Sequence, residues 1–300
     1  MIKKAGICAL AFVLNIGFGF NECFAILEQT TPLSDDGSAR GLVLETYSYK
    51  DGVQSTFSAV RVNPKDYLIS LESAPSKAEW KSSQEWRRTK DFAGAINASK
   101  FHDNGAATGY LKKDGQIIQK KMHRSFGGFL GLGLVGEPNA VSIFHSEDNN
   151  REENIGKYST VIQLERLFDQ NGDPIKWAFA GRIGISAVGM DGDSNFVFLH
   201  ATTPFQPTEF AKALKENDSD LKLKSALLTT SGLRASFCVG DYELVSDYPS
   251  DSFRSRIPGG NYLPAIDVPG WILPWIPESV LSRVGASRKY PHALCFQVNE

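Results

Sequence analysis

The sequence predicts a strand-rich α+β fold with few helices. Short alternations of apolar and polar residues recur along most of the chain, and turn signals such as Asp51-Gly52 and Asn63-Pro64 separate them. Helical periodicity is confined to Lys77–Lys90 and Thr208–Asn217, with Thr208 as the expected cap of the second helix. At 300 residues, 42% of them hydrophobic, the chain is long enough for one large core.

Residues 1–25 have the features of a secretory signal peptide. A positively charged start precedes Ala5–Phe20, a nearly uncharged apolar run, and Ala25 lies at a suitable cleavage position. The run is shorter than the roughly 20 apolar residues of a spanning helix, and a retained anchor or a buried helix is the alternative. We expect an exported chain, periplasmic or secreted, with a linker at 26–40 and no membrane partner after cleavage.

The rest of the chain, 41–300, is expected to form one domain. Val161–Phe168 fits a strand or a helix, and Ser146–Lys157 has the composition of a charged loop. The predicted strands are Gly41–Tyr49, Ser55–Val62, Tyr67–Glu72, Phe92–Asn97, Phe126–Gly136, Val141–His145, Ile183–Met190, Asn195–His200, Ser225–Leu228, Arg234–Val239 and Ala293–Val298.

An insertion at 241–290 interrupts this pattern. It is rich in proline, which fixes φ and lacks an N–H, so a regular sheet is not expected and a long ordered loop or lid is. It also contains Trp271 and Trp275, whose rings would stack on sugar faces or anchor the loop to the core.

Charge and cysteine content restrict the partners and the cross-links. The formal charge of −2 and the lack of a basic run give no electrostatic footprint for nucleic acid, so no nucleic-acid partner is expected. After removal of the signal peptide, Cys238 and Cys295 remain. In an oxidising compartment they would form one disulfide, or they are two buried thiols.

Two acidic turns, Asp169–Asp173 and Asp191–Asn195, show the D-x-[DN]-x-[DN] spacing that begins calcium loops. Pro174 and Phe196 occupy the place of the glycine that an EF-hand loop requires, and both segments also suit ordinary hairpin turns. The five histidines form no zinc motif. We therefore expect no cofactor, with calcium as the alternative.

Several polar residues are candidates for chemistry. Asn97 ends a buried strand, where an amide at the edge of the core would face a ligand. His102 and Asp103 follow in a loop that is either solvated or holds a general acid/base pair. Ser231 lies in Thr-Thr-Ser-Gly-Leu, which is not the G-x-S-x-G turn of serine hydrolases.

The segment Ala95–Gly115 (AINASKFHDNGAATGYLKKDG) resembles the N-terminal signature of the phosphodiester glycosidase family, to which the "uncovering" α-N-acetylglucosaminidase belongs. The resemblance extends in chain order to Ser186–Gly189 with its acidic turn, Thr208–Leu214, Ser225–Gly240 and Tyr290–Val298. It implies a mixed sheet and hydrolysis of a sugar-phosphodiester of envelope or extracellular glycans. Asn97, Phe101 and Gly109 keep the family pattern.

Two positions depart from the family pattern. The family's arginine falls on Ile185, with Arg182 nearby, and the aspartate of its Asp-Gly-Gly turn falls on Thr230. Neither isoleucine nor threonine replaces a phosphate clamp or a catalytic carboxylate. Two functions therefore stay open: an exported phosphodiester glycosidase-like hydrolase, or an inactive homologue that binds a glycan or a protein. The candidate catalytic residues are Asn97, His102, Asp103, Thr230 and Ser231, and the candidate substrate-binding residues are Gly109, Arg182, Trp271 and Trp275.

Overall fold

A computed structural model describes residues 25–33, 39, 41–51, 53–216, 218–232, 234–246 and 289–299. Its strands are β1 Ala25–Pro32, β2 Val43–Asp51, β3 Val53–Val62, β4 Tyr67–Ser73, β5 Gly94–Asn97, β6 Leu111–Lys113, β7 Gln116–Gln119, β8 Gly128–Leu134, β9 Glu137–His145, β10 Thr160–Arg166, β11 Ile185–Asp191, β12 Phe196–Ala201, β13 Leu223–Ser231, β14 Ser236–Val239, β15 Tyr242–Val245 and β16 His292–Val298. Its helices are α1 Ser83–Arg88, α2 Arg151–Lys157, α3 Pro207–Glu216 and α4 Asp218–Leu221. The expected signal peptide before Ala25, Trp271, Trp275 and most of the 241–290 insertion lie outside the described residues.

The described strands form two sheets, which confirms a strand-rich fold with few helices. The larger sheet has eleven strands along the path β1-β2-β3-β12-β11-β13-β10-β6-β7, with β8 beside β10 and β9 beside β8. The smaller sheet has the order β15-β14-β5-β16-β4. Every pairing between described strands is antiparallel, so the expected mixed sheet is wrong. Tight turns such as Asp114-Gly115, with φ of 49° and 78°, return the chain without a crossover helix.

The inner faces of the two sheets enclose the main core. Phe198 of β12 contacts Phe237 of β14 and Phe296 of β16, with ring centroids 5.7 and 4.4 Å apart. Because side chains alternate along a strand, Val197 and Leu199 of β12 point to the opposite face of the larger sheet. Burial of these aromatic rings is what joins the two sheets.

Helices cover the outer faces of both sheets. On the larger sheet, Phe210 of α3 packs edge-on against Phe57 of β3 at 5.6 Å. On the smaller sheet, Trp86 of α1 packs with Ala95 and Cys295. The layers are therefore α1, the smaller sheet, the larger sheet and α3. No helix in the described part of the chain is long and apolar enough to cross a membrane.

Two expected irregular segments contain strands. The expected linker at 26–40 begins with β1, which pairs with β2 and packs Leu27 against the core beneath α3. As an edge strand with one bare face, β1 carries a largely polar sequence that lacks the usual alternation. The start of the expected 241–290 insertion forms β15, which pairs with β14.

Helix expectations also need correction. The expected charged loop at Ser146–Lys157 contains α2, which buries one apolar residue, Ile155, and therefore has little apolar periodicity. Lys77–Lys90 is split into a 3₁₀ turn and α1, whose capping box is Ser82 with Glu85. Thr208 does not cap α3. This helix begins at Pro207, and the hydroxyl of Thr208 accepts a hydrogen bond from the N–H of Trp177.

The two cysteines are free thiols in the structure. Cys238 of β14 and Cys295 of β16 each lie opposite Ala95, on the two sides of the intervening strand β5. Two strand spacings amount to roughly 9.6 Å, whereas a disulfide needs Cα atoms within about 7 Å. Of the two alternatives, the buried thiols are therefore correct.

Candidate functional site

A row of polar residues crosses the inner face of the larger sheet at one end. In register across five neighbouring strands, Thr46 lies opposite Ser58, Ser58 opposite His200, His200 opposite Ser186, and Ser186 opposite Thr230. We call these five residues the polar row. Ser58, His200, Ser186 and Thr230 are at most 4% exposed, and Thr46 is half-buried.

Strand alternation explains how the polar row arises in an apolar core. Phe196, Phe198 and His200 share one face of β12, so the row begins where the aromatic part of that face ends. Oγ of Ser186 lies 3.1 Å from Nδ1 of His200. At a bulge in β13, Thr229 donates its hydroxyl hydrogen to the carbonyl of Ser186 at 3.0 Å. Buried polar groups need such partners.

The smaller sheet contributes Asn97 and Ser236 to the same region. Oδ1 of Asn97 accepts a hydrogen bond from the backbone N–H of Ser236 at 3.0 Å. The carbonyl of Ser236 lies 3.5 Å from Oγ of Ser186, so Asn97 is linked through Ser236 to the residue opposite Thr230. Among the described residues, Nδ2 of Asn97 has no hydrogen-bond partner, although the side chain is fully buried.

A cation lies in the turn between Thr230 and Ser236. The guanidinium carbon of Arg234 is 4.9 Å from the centroid of the Phe101 ring, and that ring packs edge-on against Trp80. Because β5 ends at Asn97 and β14 begins at Ser236, the connections that carry Phe101 and Arg234 share one end of the smaller sheet. Within the described residues, Arg234 forms no ion pair.

Arg182 lies on the other face of the larger sheet. Its guanidinium pairs with Glu209 of α3, contacts Ser55 and donates to the carbonyl of Pro204 at 3.1 Å. Ile185 is fully buried in the core beneath α3. The structure therefore separates Arg182 from Asn97 and Thr230.

The other predicted residues occupy three kinds of place. His102 and Asp103 are exposed in a tight loop, where the N–H of Gly105 bonds the carbonyl of His102 at 2.8 Å. Ser231 lies opposite Ile185 and is half-buried. Gly109 is buried in close contact with Gln163, where a Cβ would lie 3.0 Å from Oε1 of that side chain.

The two acidic turns use their first aspartates for backbone hydrogen bonds. Oδ1 of Asp169 accepts from the N–H groups of Asn171 and Asp173, and Asp191 binds its own turn in the same way. These bonds hold the pKa of the Asp169 carboxyl below its usual value. The described residues contain no cluster of metal-ligating side chains.

A groove of about 450 Å³ lies beside β4, between Leu68–Glu72 and the segment Leu132–Leu134. None of the predicted site residues lines it. The groove is therefore not part of the candidate site.

Sequence reasoning missed Ser58, His200, Ser186, Ser236 and Arg234. One signal for the first three was present: each is a polar residue at an apolar-face position of a strong strand pattern. Their proximity depends on the register of strands distant in sequence, which the alternation within each strand does not reveal. Arg234 was hidden because its partner Phe101 lies 133 positions away in the sequence.

The fold defines a class: two packed antiparallel sheets with a helix on each outer face. The structure is similar to the catalytic domain of zebrafish N-acetylglucosamine-1-phosphodiester α-N-acetylglucosaminidase, described as auto-inhibited by its pro-peptide, with a TM-score of 0.57 and 15% identity over 92% of this chain and 89% of that one. A hypothetical protein from Synechocystis matches with a TM-score of 0.54 and 12% identity, over 86% of this chain and 62% of that one.

No protein-family model and no curated protein sequence matches the chain. At such low identity, the structural similarity establishes the fold alone.

Proposed function

We propose that this chain is an exported phosphodiester glycosidase-like protein that binds a sugar-phosphodiester of a glycan at the end of the polar row. Arg234 is the residue that binds the phosphate. The single observation that carries the proposal is that the guanidinium carbon of Arg234, in the turn between Thr230 and Ser236, lies 4.9 Å from the centroid of the Phe101 ring.

The chemistry of Arg234 supports this role. A guanidinium presents a planar fork of donors that matches two phosphate oxygens, and stacking on an aromatic ring fixes its orientation. Arg234 is half-buried, so its charge is weakly screened but still accessible. Ile185, at the position of the family's arginine, is buried among apolar side chains and leaves that role to another cation.

The polar row favours binding over hydrolysis, because its side chains include no carboxyl group and its histidine is buried. Glycoside hydrolases commonly use two carboxyl groups beside the scissile bond. Here the position of the family's aspartate is Thr230, and Ser186 and His200 are both fully buried. The accessible chemistry is therefore the Arg234 cation, whereas Asn97 and Ser236 are fully buried.

The test is calorimetric titration of the protein with a methyl phosphodiester of N-acetylglucosamine. Arg234→Gln should weaken binding by about 10- to 100-fold, because a charge-assisted pair with phosphate is lost. Arg182→Gln is the matched control: it should lower stability through loss of the Glu209 pair and leave affinity unchanged. N-acetylglucosamine without phosphate should bind much more weakly.

Two results would overturn the proposal. One is no detectable binding of the phosphodiester by the unmodified protein. The other is equal affinity of the Arg234→Gln variant and the unmodified protein.

Hydrolysis is a second candidate function, favoured by the 3.1 Å approach of Ser186 Oγ and His200 Nδ1. In that case substrate binding would first expose the buried His200, which would then accept the proton of an attacking water while the anomeric carbon–oxygen bond breaks and the phosphate monoester leaves. The measurement is release of free sugar from the same phosphodiester. Turnover that disappears in a folded His200→Gln variant, with binding retained, would establish the enzyme; binding without turnover would establish the inactive homologue.

A further inference from the structure

Two adjacent isoleucines on strand β7 are exposed to solvent. Ile117 and Ile118 are each 56% exposed, and Met122, just beyond the strand, is 37% exposed. Consecutive residues of a strand point to opposite faces, so both faces of β7 present a large aliphatic side chain. Exposed apolar residues scattered singly need no explanation, but three within six positions form a cluster.

The position of β7 makes this cluster accessible. β7 is the last strand on the main path of the larger sheet and, among the described strands, pairs with β6 alone. The two strands form a hairpin around Asp114-Gly115, and the chain then continues without regular structure to β8. Within the part of the chain that the structure describes, one edge of β7 is therefore unpaired, and the hairpin lies at the end of the sheet.

Basic side chains surround the same cluster. We call residues 113–124 the basic hairpin; it carries Lys113, Lys120, Lys121 and Arg124 against one acidic residue, Asp114, in a chain whose net charge is −2. Within the described residues, Lys120, Lys121 and Arg124 form no ion pair.

Acidic residues on the neighbouring helix α2 do not neutralise the basic hairpin. Glu152 is paired with Arg151, and Glu153 with Lys157. The local charge of the basic hairpin is therefore positive, in contrast to the molecule as a whole.

We propose that the basic hairpin docks on an anionic lipid surface, with Ile117, Ile118 and Met122 inserted at the headgroup boundary. Two features select this partner. Charge complementarity requires a negative surface, and anionic lipid attracts clustered lysine and arginine. The exposed isoleucines point to both faces of one strand, so the partner must surround the strand; a flat protein surface would cover one face only.

Peripheral docking of this kind needs no membrane-spanning helix. It differs from the sequence-based expectation of no membrane partner after signal cleavage, and the experiment below decides between the two. It is independent of the proposed phosphodiester site, because none of its residues belongs to the polar row or contacts Arg234.

The test is co-sedimentation of the protein with vesicles of phosphatidylglycerol and phosphatidylcholine, compared with vesicles of phosphatidylcholine alone. The protein should bind the anionic vesicles at low salt and be released at about 0.5 M salt, where charge attraction is screened within a few ångströms. Lys120→Gln/Lys121→Gln should weaken binding by roughly 25-fold, about fivefold for each charge. Ile117→Ser/Ile118→Ser should weaken it by at least about tenfold.

The matched control is Val53→Ser. Val53 is 55% exposed in the β2–β3 hairpin, where residues 50–54 carry one lysine and one aspartate, so vesicle binding should not change. All variants alter exposed residues, and unchanged urea denaturation confirms that each is folded.

Three outcomes overturn the proposal. The first is no preference for anionic vesicles. The second is full binding by Ile117→Ser/Ile118→Ser, which would mean adsorption by charge without insertion. The third is equally tight binding to soluble polyglutamate, which would identify an acidic polypeptide as the partner.

Discussion

His292 is a buried histidine held in its neutral form. Its Nε2 lies 3.2 Å from the carbonyl of Gly105, which only accepts, so Nε2 carries the proton and Nδ1 accepts from the hydroxyl of Ser73 at 3.0 Å. Burial lowers the pKa of His292 to about 4. The imidazole therefore links the 101–107 loop to strand β4 without carrying a charge.

This depressed pKa makes stability depend on pH. The unfolded histidine has a pKa of about 6.5, so the unfolded chain takes up a proton that the folded chain resists. The contribution of neutral His292 to the free energy of unfolding is present in full above about pH 6.5. It is lost as the pH falls to about 4, and the total loss is roughly 3 kcal/mol. His292→Gln retains one donor and one acceptor and does not titrate. Urea denaturation at several pH values should show a smaller loss for this variant; parallel curves would contradict the assignment.

Side-chain geometry is also where sequence reasoning reached its limit. The buried strand pattern located Asn97 at the edge of the core, and the structure links this amide to Ser236. The Asn97–Ser236–Ser186 connection depends on how two sheets pack, and residue spacing carries no information about that. Arg182 and Arg234 illustrate the same limit. Nothing in the sequence distinguishes their surroundings, and only the fold places Arg182 beneath α3 and Arg234 beside Phe101.

At the scale of secondary structure, Gly94 allows β5 to lie between β14 and β16. A Cβ at Gly94 would lie 2.5 Å from the Phe296 ring and 2.8 Å from the carbonyl oxygen of Cys238. The carbonyl belongs to the neighbouring strand and does not move without breaking the ladder. Gly94→Ala should therefore lower the free energy of unfolding by about 3 kcal/mol, measured by urea denaturation.

Gly156 in α2 is the matched control for this substitution. Nothing lies within 4 Å of a Cβ at that position, and its φ is not positive. Gly156→Ala should raise the free energy of unfolding by about 0.5–1 kcal/mol, since alanine is the better helix former. If both variants changed stability by the same amount, close approach at β5 would not be the cause.

The strands with strong alternation were predictable, and the weakly patterned elements were not. β2, β3, β4 and β16 coincide with predicted segments: β2 and β4 alternate between buried and less buried positions, and β3 and β16 contain runs buried on both faces. β1 and α2 bury too little apolar surface to have a clear period, so their composition resembled a linker and a loop. The antiparallel pairing was missed because it depends on strand order, which alternation does not specify.

At the scale of the whole molecule, the described part of the chain is held together by its core and not by a cross-link. Aromatic rings from both sheets meet around Phe198, and α1 and α3 seal the outer faces. Cys238 and Cys295 lie within this packing as apolar groups. Burial raises the pKa of the Cys238 thiol to about 11 and that of the Cys295 thiol well above its usual value, so neither is a thiolate at neutral pH.

Two measurements follow from this arrangement. A reducing agent should leave the free energy of unfolding unchanged, whereas loss of a native disulfide typically costs about 2–5 kcal/mol. Iodoacetamide should modify the peptides that contain Cys238 and Cys295 only after unfolding in urea, because alkylation needs an accessible thiolate. Peptide mass spectrometry of native and unfolded samples measures the alkylation of Cys238 and that of Cys295 separately. A Cys238–Cys295 cross-linked peptide from the non-reduced protein would show that β5 does not lie between β14 and β16, and the strand order of the smaller sheet would then be wrong.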